Sequence, residues 1–375
     1  MKICHISSVH PSDDTRIFVK ECSSIAKYGY ETFLVAKGES REENHVHVIG
    51  VGTPHGSRFH RMVAFSKKVY KTALALDCDV YHLHDPELLP FALKLKKRGK
   101  IIIFDSHEDI PAQVMSKEWI PYLFRKAIAW MLAAYIRYVG KRIDGFVAAT
   151  PYIGEQLKII NENTEVICNY PVIKHVKNPI CYSERSLELG YTGICVTRDR
   201  GAIEMVEAAR KTNTRLDIFG RIDDVDLKEE LAQRDVGGKL HIRGLLPYET
   251  LQKQMAQIKI GFLVEHPTPN AYNALCIKMF EYMLHGIPII CSNIPLWASI
   301  INEASCGICV DPFDVEAITK SIVYLQEHQE EAAQMGLNGF RLVCKKYRWD
   351  YEEKKLIEMY KRQLMRGERK CLIKY

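Results

Sequence analysis

No stretch of this sequence is apolar for long enough to cross a bilayer. The best candidate, residues 127–139, is short, bordered by Lys126 and broken by Arg137. Met1-Lys2-Ile3-Cys4-His5 opens no secretory leader, so a cytoplasmic chain is expected. Charge is nearly balanced: 52 Lys and Arg against 46 Asp and Glu leave +6, too little to imply nucleic acid. Low-complexity tracts and short-period repeats are missing, and 47% hydrophobic residues exclude a disordered or fibrous chain. The 12 cysteines stand singly in apolar runs, as reduced, buried thiols do. Cys306-Gly307-Ile308-Cys309 lacks the second pair of a zinc ribbon and runs into Val310 like a strand.

What is present is alternation. At 375 residues the chain exceeds one ordinary core, so two domains are expected. Short apolar runs at 2–7, 31–36, 80–83, 100–105, 144–148 and 165–168 alternate with amphipathic segments such as 16–27 and 59–76. The pattern restarts at 187–191, 215–219, 239–243, 259–264, 287–291 and 307–310, with helical segments at 202–211, 247–257 and 276–285. Such alternation predicts an α/β fold of two doubly wound, Rossmann-like domains, with ligands beyond the carboxyl ends of the strands. The expected division is 1–172, 173–346, and a closing segment 347–375.

Three features carry chemistry or contact. Arg58, Arg61, Lys67, Lys68 and Lys71 flank or occupy one helical segment without an acid among them. Arg125, Lys126, Arg137, Lys141 and Arg142 interleave with Trp119, Tyr122, Phe124, Trp130, Tyr135 and Tyr138. Basic residues with interfacial aromatics describe a surface for anionic lipid; a solvated helix face above core aromatics is the plainer alternative. Second, His5, Ser8, His10, Asp13 and Asp14 follow the first strand, His84-Asp85-Pro86-Glu87 another, and Asp105-Ser106-His107-Glu108-Asp109 a third. Imidazole with carboxylate suits zinc or manganese, yet the spacing matches no metal motif, and no metal is assigned. Third, the prolines Pro267 and Pro269 lead into a helix starting near 273–276. Its free N–H groups attract phosphate. Lys278 adds charge, and Glu281, one turn on, can accept a ribose diol. A capped helix with a surface ion pair would look the same by spacing alone.

These residues resemble the retaining GT-B glycosyltransferases of family 4, over nearly the whole chain. The most specific part is Ala274-Leu275-Cys276-Ile277-Lys278-Met279-Phe280-Glu281-Tyr282-Met283 through Ile294-Pro295-Leu296-Trp297, similar to the donor-binding segment of a bacterial subgroup making surface polysaccharides. His10-Pro11, Asp14-Thr15-Arg16, His82-Leu83-His84-Asp85-Pro86-Glu87 and Asp105-Ser106-His107-Glu108 fit that subgroup too. Tyr347-Arg348-Trp349-Asp350 resembles the tail whose helix crosses back to the first domain.

The resemblance implies two domains facing across a cleft, the first serving the acceptor and the second the nucleotide sugar. It places Glu281 at the second glutamate of the E-x7-E motif, on the ribose, and Asn273 at the first, near the donor sugar. The arginine and lysine that clamp the diphosphate fall on Ile194 and Arg200, which leaves Arg200, Lys278 and the helix start to carry phosphate charge. Ala274, Leu275 and Cys276 line the donor segment, and Gly244-Leu245 matches the loop that meets the base. His107 is implied near the sugar, with Asp85, His10 and Arg16 on the acceptor side. The implied reaction moves a sugar from a UDP- or GDP-linked donor to a polyprenyl-diphosphate-linked saccharide at the inner membrane face. It retains configuration and uses neither metal nor cofactor, the departing phosphate assisting deprotonation of the acceptor. A sugar-nucleotide epimerase and a non-catalytic, membrane-docked subunit of a synthase remain alternatives. A GT-A enzyme is a weaker one, resting on the DxD tripeptides Asp77-Cys78-Asp79 and Asp224-Val225-Asp226.

Overall fold

The computed structural model describes all residues except 55, 57–60, 116, 118–119, 174–177, 236 and 373–375, with backbone alone at 61 and 367–372. Arg58, Trp119 and the side chain of Arg61, named above for membrane contact, lie outside the described residues. The chain forms two compact units, Met1–Asn169 with Trp349–Tyr375, and Tyr170–Arg348. The boundaries fall a few residues from those expected, at 169 rather than 172 and at 348 rather than 346.

The first unit holds strands β1 (Lys2–Pro11), β2 (Glu31–Lys37), β3 (Arg41–Glu43), β4 (Val46–Gly50), β5 (Val80–Leu83), β6 (Ile101–Ser106), β7 (Gly145–Ala148) and β8 (Thr164–Val166). They lie in the order β3-β4-β2-β1-β5-β6-β7-β8, parallel except for β3 against β4. The central strands are buried on both faces, and so read as continuous apolar runs. The β3–β4 hairpin does not stand out in the sequence. Its first strand is Arg41-Glu42-Glu43, charged as an edge strand can be, and it turns through Asn44 and His45 at φ 53° and 60°. After β1 the chain enters a wide π-helical segment, Thr15–Cys22, whose start Asp14 caps by accepting from the backbone N–H groups of Arg16 and Ile17. That segment turns Arg16, Lys20 and Glu21 inward. The closing helix, Trp349–Leu372, docks here: Trp349 Nε1 donates to Ser24 Oγ at 2.9 Å, and Tyr360 is fully buried.

In the second unit, β9 (Leu187–Cys195), β10 (Leu216–Arg221), β11 (Leu240–Ile242), β12 (Ile258–Leu263), β13 (Ile289–Ser292) and β14 (Gly307–Val310) run parallel in the order β11-β10-β9-β12-β13-β14. The order reverses between β9 and β12. In a doubly wound sheet the crevice at that reversal is where a nucleotide binds.

Candidate active site

The reversal in the second unit gathers charge. Beyond β12, Glu265 accepts from Lys278 Nζ at 2.8 Å, and that ammonium stands 4.1 Å from the centre of the Tyr191 ring. Lys278 is the second residue of helix Ile277–Leu284, whose first N–H groups have no side-chain cap. Burial opposes its charge, but Glu265 and then Tyr191 outweigh that and hold its pKa above the ordinary lysine range. Arg200 sits in the turn before helix Ala202–Lys211 and donates to the Cys195 carbonyl at 2.9 Å. Its pKa too is raised, against burial, by Tyr191 and Glu265. One glutamate between two cations leaves a net positive charge, suited to a diphosphate.

Close packing fixes this loop. Gly201 has φ +70°, and a Cβ there would lie 2.1 Å from the Val264 carbonyl oxygen. Trp297 Nε1 donates to the Ala274 carbonyl at 2.7 Å, and Tyr282 Oη accepts from Thr192 N at 3.0 Å. Glu281 is half-buried on the same helix as Lys278. Tyr248 lies near enough that the Glu281 charge, after burial, raises its pKa. Asn273 ends a single tight turn, and half-buried Ala274, Leu275 and Cys276 join it to the helix. Gly244, at φ +69°, and exposed Leu245 follow β11. Ile194, where an arginine would stand, is 69% exposed at the end of β9.

In the first unit the carboxyl ends of β1, β5 and β6 bring His10, Asp85 and His107 together. His10 Nε2 is 3.6 Å from Asp85 Oδ1, and the rings of His10 and His107 are 4.9 Å apart. Asp85 is buried and accepts from Ser7 Oγ at 2.9 Å, Ser8 N at 2.6 Å and Val9 N at 3.2 Å. It braces the loop after β1 and leaves His10 and His107 as the groups a ligand would meet. Arg16, expected to meet the acceptor, does not. It is 3% exposed, donates twice to Asp105 at 3.0 Å, and donates to the Ile167 carbonyl at 2.9 Å. The inward π-helical turn makes it the anchor of Asp105, which also meets His107 Nε2 at 3.1 Å and His84 Nδ1 at 3.4 Å. Burial works against the Asp105 charge, yet Arg16 and His107 hold its pKa well below the usual carboxylate range.

Residues 19–170 match the sequence family described as Glycosyltransferase Family 4, and residues 197–342 the family described as Glycosyl transferases group 1. Both units are glycosyltransferase domains. A comparison with curated protein sequences gave no significant match. Among solved structures, the chain is similar to sucrose-phosphate synthase from Thermosynechococcus elongatus, at TM-score 0.76 and 15% identity over 98% of this chain and 100% of that one. It is also similar to Anabaena HepE in complex with UDP and glucose, at TM-score 0.72 and 14% identity over 96% and 99% of the two chains. A trehalose-6-phosphate structure from E. coli bound with UDP-2-fluoro glucose follows, at TM-score 0.70 and 12% identity over 96% and 98%. The fold is that of GT-B enzymes, two Rossmann-like parallel sheets.

Sequence reading of this glycosyltransferase missed Glu265, Tyr191 and Tyr360. Glu265 was open to recognition, since it stands just past an apolar strand. Tyr191 sits inside a strand and Tyr360 inside a helix, where an aromatic ordinarily signals core. The DxD tripeptides have structural roles: Asp77 pairs with Lys100 at 2.6 Å, and Asp224 caps helix Val225–Arg234.

Proposed function

We propose that this glycosyltransferase moves a hexose from a UDP- or GDP-linked donor to a lipid-linked glycan in surface-polysaccharide assembly, with retention of configuration. The observation that carries the donor half is the group of Arg200, Lys278 and an uncapped helix start at the strand reversal, with Glu281 one turn on. Two of the similar structures are complexes, one with UDP and glucose and one with UDP-2-fluoro glucose. The fixed cations stabilise charge on the departing diphosphate, so the transfer step is assigned no metal. His107 is assigned to positioning and electrostatics beside the sugar, with His10 next to it. Glu281 takes the ribose, and the Gly244-Leu245 loop the base.

The acceptor half rests on the first unit. A cavity of about 570 Å³ runs from Ser106, Glu108 and Asp109, past the end of β6, between helices Tyr122–Gly140 and Pro151–Lys158. Its walls include Ile110, Trp130, Ile136 and Leu157. Around its mouth, Trp130 itself and Tyr122, Leu123, Phe124, Met131 and Tyr138 are at least half exposed. Helix Tyr122–Gly140 carries Arg125, Lys126 and Arg137 with no acid. An apolar groove with a basic, aromatic rim suits a polyprenyl diphosphate on an anionic membrane. No helix among the described residues is long and apolar enough to cross a membrane, and peripheral attachment at the inner face of the plasma membrane is the proposed location.

Thermal-shift measurement against UDP, GDP, ADP and CDP tests the donor assignment. One uracil or guanine nucleotide at 100 times its Kd stabilises the fold by about 2.7 kcal/mol. No shift with any of the four counts against the donor site. Turnover in excess EDTA tests the metal-free step. Consumption of the donor that needs added lipid extract separates transfer from epimerisation and from a non-catalytic subunit.

A further inference from the structure

Behind His107, one layer into the first unit, lies a polar cluster that the transfer chemistry does not use. His5, Glu21, His82 and Tyr360 are fully buried and His84 is 3% exposed. Strand register assembles the histidines. His5 of β1 lies opposite His82 of β5, and His84, just past the end of β5, places its ring 4.7 Å from that of His82. The π-helical segment delivers Glu21, and the closing helix delivers Tyr360.

Each imidazole has one nitrogen held from outside the cluster's centre. Tyr360 Oη lies 3.1 Å from His5 Nε2 and 2.5 Å from His82 Nδ1. His84 Nδ1 lies 3.0 Å from His107 Nε2 and 3.4 Å from Asp105. The second nitrogens converge. His5 Nδ1 and His84 Nε2 are 2.8 Å apart, and Glu21 Oε2 lies 3.7 Å from the first and 3.9 Å from the second. Ligand atoms of all four residues fall within 4.8 Å of one another. His82 Nε2 and both Glu21 oxygens are buried without a hydrogen-bond partner. Arg16 Nε approaches Glu21 Oε1 at 3.1 Å, but its charge is matched by Asp105.

The geometry points to a closed, structural site for one zinc ion, held by His5 Nδ1, His82 Nε2, His84 Nε2 and Glu21. A point equidistant from the three measured atoms lies about 2 Å from each, the length of a zinc–nitrogen or zinc–oxygen bond. Tetrahedral coordination would open the His5–His84 pair by about 0.5 Å. Tyr360 and Asp105 then serve as the outer partners that orient ligating histidines. The ion would take Glu21 as its carboxylate and the histidines as neutral imidazoles. With four protein ligands and no solvent, the ion has no open position for substrate. Its role is to tie β1, β5 and the π-helical segment beneath His107, apart from the transfer step. The ligands at 5, 21, 82 and 84 come from three elements, so no spacing motif marks them.

Metal analysis of the intact chain should find close to one zinc per molecule. After dialysis against dipicolinate, Co2+ should bind one to one with the visible absorption of a tetrahedral complex, and Zn2+ should displace it. His82→Gln and Glu21→Gln should abolish that absorption. Tyr360→Phe, which keeps every ligand, should weaken Co2+ binding about 10- to 100-fold. His107→Ala should retain it. No stoichiometric zinc and no Co2+ absorption would overturn the site. Unchanged binding in folded His82→Gln and Tyr360→Phe would do the same. Loss in His107→Ala alone would move the ion to His84, Asp105 and His107, which also converge.

Discussion

At the scale of single residues, two groups on one helix should separate by kinetics. Glu281, assigned to a ribose whose charge does not change in the reaction, contributes equally to ground and transition states. Glu281→Ala should therefore weaken nucleotide binding by about 1.5–3 kcal/mol, roughly 10- to 150-fold, alike for donor sugar and free diphosphate. Lys278 is assigned to the diphosphate, whose leaving oxygen gains charge, so Lys278→Ala should lower kcat as well as binding. The structure adds a control that the sequence did not suggest. Glu265 neutralises part of the Lys278 charge at 2.8 Å, so Glu265→Gln should tighten diphosphate binding while Lys278→Ala loosens it. Titration of UDP into the three variants, with kcat measured alongside, checks the set. Normal binding by Glu281→Ala would move the donor site elsewhere.

At the scale of elements, the turn bearing Arg200 and the end of the helix bearing Lys278 each have a single vulnerable point. Gly201 combines a left-handed φ with the Val264 carbonyl 2.1 Å from where a Cβ would be. Gly201→Ala must shift that backbone, and should cost about 1–3 kcal/mol in urea unfolding. His285 ends helix Ile277–Leu284, where the helix dipole favours a charged imidazole. Burial, and then Arg185, overrides the dipole and pulls its pKa down to about 4. Arg185 donates to the His285 carbonyl at 2.7 Å, and Gln252 Oε1 lies 2.7 Å from His285 Nε2. Below about pH 6.5 the unfolded chain binds a proton here that the folded chain refuses. The stabilising contribution is thus complete above pH 6.5 and lost as pH falls toward 4. His285→Gln carries no such term. The stability advantage of the natural chain over this variant should be about 2 kcal/mol smaller at pH 5 than at pH 7.

At the scale of the whole molecule, the aromatic rim of helix Tyr122–Gly140 should decide attachment. Leu123 is 87% exposed, Trp130 73% and Phe124 60%, so replacing all three by serine removes apolar surface without opening a core. The triple variant should keep its melting temperature and lose binding to phosphatidylglycerol vesicles. Equal sedimentation of the natural chain with phosphatidylcholine and phosphatidylglycerol vesicles would speak against the membrane surface. Lys68, part of the basic set read from sequence, donates to the Val51 carbonyl at 2.7 Å and is a poorer probe. Two α/β units, most of the strands and the helix carrying Lys278 and Glu281 were legible in the sequence, because short apolar runs and helical patterning record burial locally. The β3–β4 hairpin was not, since an edge strand carries charge where a central strand carries valine or isoleucine. The sequence by itself also determined which polar residues end β1, β5 and β6. Only the tertiary structure decided their partners. Arg16 is 89 positions from Asp105, and His5 is 79 from His84 and 355 from Tyr360. Such pairs exist only once strand order and register are set, and local spacing encodes neither.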